Sequence, residues 1–94
     1  MYFLTRLEDG LMKSYKEVGF ITFDQFGRGL DLKDNIEINT SCILGPFNAG
    51  FTWQTTMIEE IQEEIKNETG NLIFARFKTK NSNYTLEWRT TSRA

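Results

Sequence analysis

No histidine occurs anywhere in the 94 residues, and Cys42 is the only cysteine. The first absence removes the usual general base, the commonest zinc ligand and every Ser–His or Cys–His pair. The second excludes an intrachain disulfide and favours a reducing compartment, so the cytoplasm is the expected location. The apolar neighbours in SCIL make Cys42 a small buried hydrophobe rather than a nucleophile. No apolar run approaches the ~18 residues of a membrane span, so no membrane role is expected. The start MYFLTRLEDG lacks a basic leader, an apolar stretch and a small-residue cleavage site, so no signal peptide is read there. Without one, the glycosylation-like triplets at Asn39, Asn67 and Asn83 are chance products of an Asn-rich chain.

The residues that are present suffice for a core. Hydrophobic residues make up 39% and thirteen are aromatic, which is too apolar for a disordered chain. The length corresponds to one domain spanning residues 1–94. Net charge is only −2, but it is unevenly spread. Between Asp24 and Glu64, eight acids face only Arg28 and Lys33. From Ile65 onward, six bases face only Glu68 and Glu87. An acidic middle and a basic end bear on partners rather than on fold.

Along the chain, Tyr2 to Leu7 reads as a strand closed by the turn Glu8-Asp9-Gly10. Leu11 to Tyr15 is ambiguous between a strand and a helical turn. VGFITF, residues 18–23, is a second strand, with Gly19 a bulge or close-approach point. QFGRG is a turn. IEINTSCIL, residues 36–44, alternates and then turns apolar, as a strand entering a core does. Gly45-Pro46 and Asn48-Ala49-Gly50 break it, and Phe51 to Gln54 is a short strand leading into a helix. Leu72 to Thr79 and Tyr84 to Thr90 form a hairpin around Asn81-Ser82-Asn83.

The stretch TTMIEEIQEEIKNETG predicts that helix over about 56–68. Thr56 and Glu59 fit a capping box, Ile58, Ile61 and Ile65 with Met57 form one stripe, and Gly70 is a natural stop. The expected fold class is therefore α+β: an antiparallel sheet of five to six short strands with one principal helix packed on one face. A small β-barrel or sandwich is the alternative. One helix cannot cover both sheet faces, and the aromatic surplus points to a homodimer.

Candidate chemistries are weak. Glu59/Glu63 and Glu60/Glu64 lie opposite the isoleucine stripe in water, not in a cleft that separates two pKa values. Asp24, Asp31, Asp34 and Glu37 do not have EF-hand spacing, and Lys33 would compete with a cation, so no metal is expected. Gly27-Arg28-Gly29 has neither dinucleotide-binding spacing nor a P-loop lysine. Arg76, Lys78 and Lys80 with Phe74, Phe77, Tyr84 and Trp88 superficially resemble a nucleic-acid platform. However, Tyr84 and Trp88 share a core face with Leu86, and the chain is acidic, so direct nucleic-acid binding is a minority reading. Neither a cofactor nor enzymatic activity is expected.

That leaves Glu59, Glu60, Glu63 and Glu64. A stable surface helix interleaves Lys or Arg at i,i+4, whereas here the pairs are Glu–Glu. With Asp31, Asp34 and Glu37 they constitute the candidate partner-binding surface, an acidic face for a host protein with a basic groove. No motif matches a family residue by residue. In overall type, a tiny single-Cys domain without a catalytic constellation, the chain resembles the small accessory proteins of bacteriophages. That resemblance implies a stoichiometric inhibitor or adaptor in the host cytoplasm, acting on a host protein such as a nucleic-acid enzyme by mimicking DNA. A structural subunit held by β-edge and aromatic contacts is the alternative, and a nucleic-acid binder using the basic hairpin comes third.

Overall fold

The computed structural model describes residues 1–47 and 53–90, and within them every regular element is a strand. These are β1 (Tyr2–Arg6), β2 (Met12–Tyr15), β3 (Val18–Phe23), β4 (Gly29–Lys33), β5 (Ser41–Leu44), β6 (Trp53–Lys66), β7 (Leu72–Thr79) and β8 (Asn83–Trp88). They form one open antiparallel sheet in the order β2-β1-β8-β7-β6-β5-β3-β4. The expected α+β class with a helix over about 56–68 is therefore wrong, as that stretch lies within strand β6 and the turn after it. The barrel alternative differs too, because β2 and β4 end the sheet without pairing to each other. Asn48-Ala49-Gly50 and the start of the stretch at Phe51 lie outside the described residues.

The physical reason for the difference is periodicity. β6 steps out of register with β5 between Ser41 and Ile43, and with β7 between Ile58 and Glu60 and again between Ile61 and Glu63. Each step inserts one extra residue into β6. A bulge of this kind makes residues three apart share a face, where a plain strand would need two. Thr55 and Ile58 are buried and Ile61 half-buried, while the residues between them are exposed. That spacing of three imitates the helical stripe. Thr55, Thr56, Ile58, Ile61 and Ile65 are all β-branched, which favours strand over helix.

Gly70 is a hairpin glycine rather than a helix stop, with φ at +85°. Asn67 builds the turn: its Oδ1 accepts hydrogen bonds from the Thr69 N–H, the Thr69 hydroxyl and the Asn71 N–H. Asx turns of this type, with a left-handed glycine after them, reverse a chain sharply. Asn67-Glu68-Thr69-Gly70 therefore encodes a β6–β7 reversal.

One core joins both halves of the sheet. Leu4, Phe77, Ala75, Tyr84 and Leu86 from the β1-β8-β7 half meet Phe20, Cys42 and Leu44 from the β3-β5 half, with Ile58 at the crossing. Trp53 at the head of β6 packs on this cluster, and its ring lies 5.5 Å from the Arg6 guanidinium and 5.9 Å from the Lys13 ammonium. The sheet thus folds its inner faces toward each other, with bulged β6 as the shared strand. β6 is fourteen residues long, about 45 Å at ~3.3 Å per residue, and the molecule's longest extent is 48 Å. The described residues include no helix long and apolar enough to cross a membrane.

Candidate functional site

The two charged segments of the sequence meet in space. The β6–β7 register sets Glu60 opposite Lys78 and Glu63 opposite Arg76. Arg76 Nη2 lies 3.8 Å from Glu63 Oε1, and Lys66 Nζ lies 3.4 Å from Glu64 Oε2. The acidic middle is therefore partly neutralised by the basic end, which zippers antiparallel beside it. Opposite charges directly across an antiparallel pair stabilise by roughly 0.2–1 kcal/mol. At this exposure the lower end applies, because water screens the pair.

The seven acids singled out from the sequence do not share one surface. Glu60 and Glu63 face outward with Lys78 and Arg76. Glu64 pairs with buried Ala75, so strand alternation puts it on the core-facing side, where the inner face runs out into solvent. Glu59 occupies the first bulge against β7. Asp31 is on β4, which two further strands separate from β6. Glu37 accepts from Lys33 Nζ at 3.4 Å. Asp34 lines a hollow with Tyr2, Asn71 and Leu72, beside the β6–β7 turn.

The other flank of β6 carries the site. β5 pairs with β6 only up to Met57, and backbone bonds from Thr40 and Asn39 extend this to Ile58. From Glu59 to Lys66, β6 is bonded to β7 on one side and to no described strand on the other. An open strand flank is a template for adding another chain, and natural proteins blunt such flanks with bulges and charge. This one has both, at Glu59, Glu60, Glu63 and Glu64. The glutamates that were out of place on a helix belong on such an edge. Glu59 and Glu60 form no ion pair among the described residues.

The two terminal edges are guarded differently. On β2, Lys13 pairs with Leu4 and faces inward over Trp53; on β4, Lys33 pairs with buried Phe20. Inward charges on edge strands oppose further pairing. Away from the edges, β3 and β5 are apolar on both faces. Val18, Phe20, Cys42 and Leu44 face the core, whereas Ile21, Phe23 and Ile43 lie on the opposite face, where Ile43 is itself buried. Leu32 and Met57 share that outer face, 47% and 43% exposed.

Several polar groups have purely structural partners. Asp24 accepts from the Phe26 and Arg28 N–H groups at 2.9 Å each, and these bonds, the Arg28 amide foremost, hold its carboxyl below the ordinary range. QFGRG is thus a turn organised by Asp24. Among the described residues, no three His, Cys, Asp or Glu side chains gather to hold a metal. Burial pushes the Cys42 thiol far up, which makes it inert as a nucleophile. The Trp53 indole Nε1 is buried without a hydrogen-bond partner, a feature that local sequence does not signal. Comparison with protein-family models, with curated proteins and with solved structures finds no match for this chain.

Proposed function

We propose that this protein is a non-enzymatic protein-binding module that takes a basic, extended segment of a partner along the open flank of β6. The observation that carries the proposal is the flank from Glu59 to Lys66, which has no described strand beside it and bears four glutamates. Its backbone N–H and C=O groups can accept an added strand. Charge then selects the strand. A second copy of this flank would bring like charges together, whereas a strand rich in lysine or arginine would be attracted. The same side chains both refuse self-pairing and choose the partner. A basic polypeptide fits better than a groove shaped for nucleic-acid phosphates, because Arg76 and Lys78 interrupt the acid row.

The test is a titration with a lysine-rich, strand-forming peptide at low and high salt, on the native chain and on a variant with Glu59, Glu60, Glu63 and Glu64 changed to lysine. Salt-sensitive binding that the charge reversal abolishes is expected. Equal affinity for both proteins would sink the proposal.

The outer face of the β3-β5 half favours a second reading, a subunit held by aromatic and apolar contacts, with a second copy of the chain as the simplest occupant. Ile21, Phe23, Leu32 and Met57 would form its centre. Sedimentation showing a dimer that survives high salt, and that Leu32→Asp dissolves, is the outcome this reading requires. Both readings place the protein in a reducing compartment, the cytoplasm, on the strength of its single free thiol at Cys42.

A further inference from the structure

At the end of the molecule where the β6–β7 turn meets the β2–β3 turn, two hollows of about 300 and 460 Å³ open side by side. Tyr2, Lys16, Asn71 and Leu72 line both, so the two adjoin as halves of a groove, with Trp88 in the first half and Asp34 in the second. Its size falls within the range of small-ligand sites, ~300–1,000 Å³. The floor is rigid. Tyr2 donates its hydroxyl to the Leu72 carbonyl at 2.9 Å, and its ring meets Trp88 edge-to-face with centroids 4.8 Å apart. Trp88 is 39% exposed, so part of its ring remains available. Around this aromatic floor stand an ammonium (Lys16), a carboxylate (Asp34) and an amide (Asn71). Neither Lys16 nor Asp34 forms an ion pair with a described residue, and Asn71 uses its side chain only to donate to the Thr69 hydroxyl.

The lining charge selects the ligand by exclusion. An anion would meet Asp34 and the neighbouring Glu17 against a single lysine, and a cation, though drawn to the two carboxylates, would leave Lys16 without an acceptor. A wholly apolar ligand would strip water from Lys16 and Asp34 and give nothing back, an uncompensated desolvation cost. A neutral ligand that both donates and accepts hydrogen bonds, with one apolar face for the rings, satisfies every group. We propose that this groove binds a neutral, hydroxyl-rich ligand of the saccharide class, with Trp88 and Tyr2 as the platform and Lys16, Asp34 and Asn71 as the hydrogen-bonding groups. The groove lies beyond the end of β6, at the β6–β7 turn, and is lined by none of the four glutamates, so neither proposal depends on the other.

The experiment is an NMR titration of the intact chain with cellobiose and lactose, and in parallel with sodium phosphate and tetramethylammonium chloride. The disaccharides are expected to give saturable shifts at the Trp88 indole N–H and the Asn71 side-chain amide, at millimolar concentration, and to leave the Trp53 indole in place. Asp34→Asn should weaken binding several-fold while keeping the dispersion of the spectrum, which separates loss of the site from loss of the fold. No saturable shift with either sugar overturns the proposal. So does saturation of the same signals by phosphate or tetramethylammonium, or unchanged affinity in Asp34→Asn.

Discussion

Glu63 and Arg76, thirteen positions apart in sequence, sit directly opposite each other across β6 and β7, with Glu63 Oε1 3.8 Å from Arg76 Nη2. Their pairing joins the acidic and basic segments that the sequence keeps apart.

Because the two charges face each other across the strands, reversing one member should cost more than reversing both. Glu63→Arg alone and Arg76→Glu alone are each expected to destabilise by a few tenths of a kcal/mol, up to about 1 kcal/mol. The double swap should recover most of that loss. Urea unfolding of the four proteins as a double-mutant cycle measures the coupling, and a coupling of zero would contradict the pairing.

The open flank of β6 leads to a second expectation. Replacing Glu59, Glu60, Glu63 and Glu64 with threonine keeps β propensity and removes the repulsion, so this variant should self-associate through β6. The quadruple lysine variant should stay monomeric, because its flank is still like-charged. Light scattering across a concentration series separates the two, and a monomeric threonine variant would remove edge protection as the reason for the glutamates.

Gly19 is a close-approach position. A Cβ placed there would lie 2.5 Å from Leu32 Cδ1 and 3.3 Å from Phe47 Cζ. Leu32 is flexible at its tip and half-exposed, so Gly19→Ala should cost about 1 kcal/mol by displacing it, and Gly19→Val about 2–3 kcal/mol. Trimming the neighbour with Leu32→Ala should rescue part of the Gly19→Ala loss in thermal unfolding.

Acid sensitivity should involve the β1–β2 turn. Arg6 donates to Asp9 through Nε and Nη2 at 3.1 and 2.7 Å, and the Leu11 N–H adds a bond at 3.0 Å. The Arg6 bonds chiefly, and then Leu11, hold the Asp9 carboxyl down to about 2, against 3.8 ordinarily. The folded value lies below the unfolded one, so this stabilisation is fully present above pH 3.8 and is lost as pH falls through about 2. Asp9→Asn should flatten the fall in urea midpoint across that window and leave the slope at higher pH unchanged.

Much of the β architecture was legible in local pattern. VGFITF is β3 to the residue. Glu8-Asp9-Gly10 is the β1–β2 turn, with Gly10 at φ +74°. Tyr84 and Leu86 alternate inward from β8 as their period of two requires. Local pattern and tertiary pairing disagree over Ile36 to Thr40, read as strand but outside β5, over Gly29 to Lys33, which forms β4 without a strand reading, and above all at Thr55 to Ile65, where local pattern misled. The spacing of Ile58 and Ile61 is compatible with a helix or with a strand bulged every third residue, and only the partner strand distinguishes them; Ile65, opposite Phe74, lies on the other face and is exposed. Of the candidate site, the glutamates stand out in sequence, whereas Asp31, Asp34 and Glu37 belong to the same acidic middle of the chain but are placed by the fold on β4 and in the segment after it.

Composition by itself determined that no histidine-based chemistry and no intrachain disulfide is available, and that charge is segregated along the chain. Those properties come from residue identity and need no fold. Only the tertiary structure decided that the segregated charges face each other, that Glu59 to Lys66 is an open strand flank rather than a helix face, and that Asp34 belongs beside Tyr2. Each of these depends on contacts between residues far apart in sequence, and a bulge is defined by the register of a neighbouring strand, which the bulged strand's own sequence does not contain.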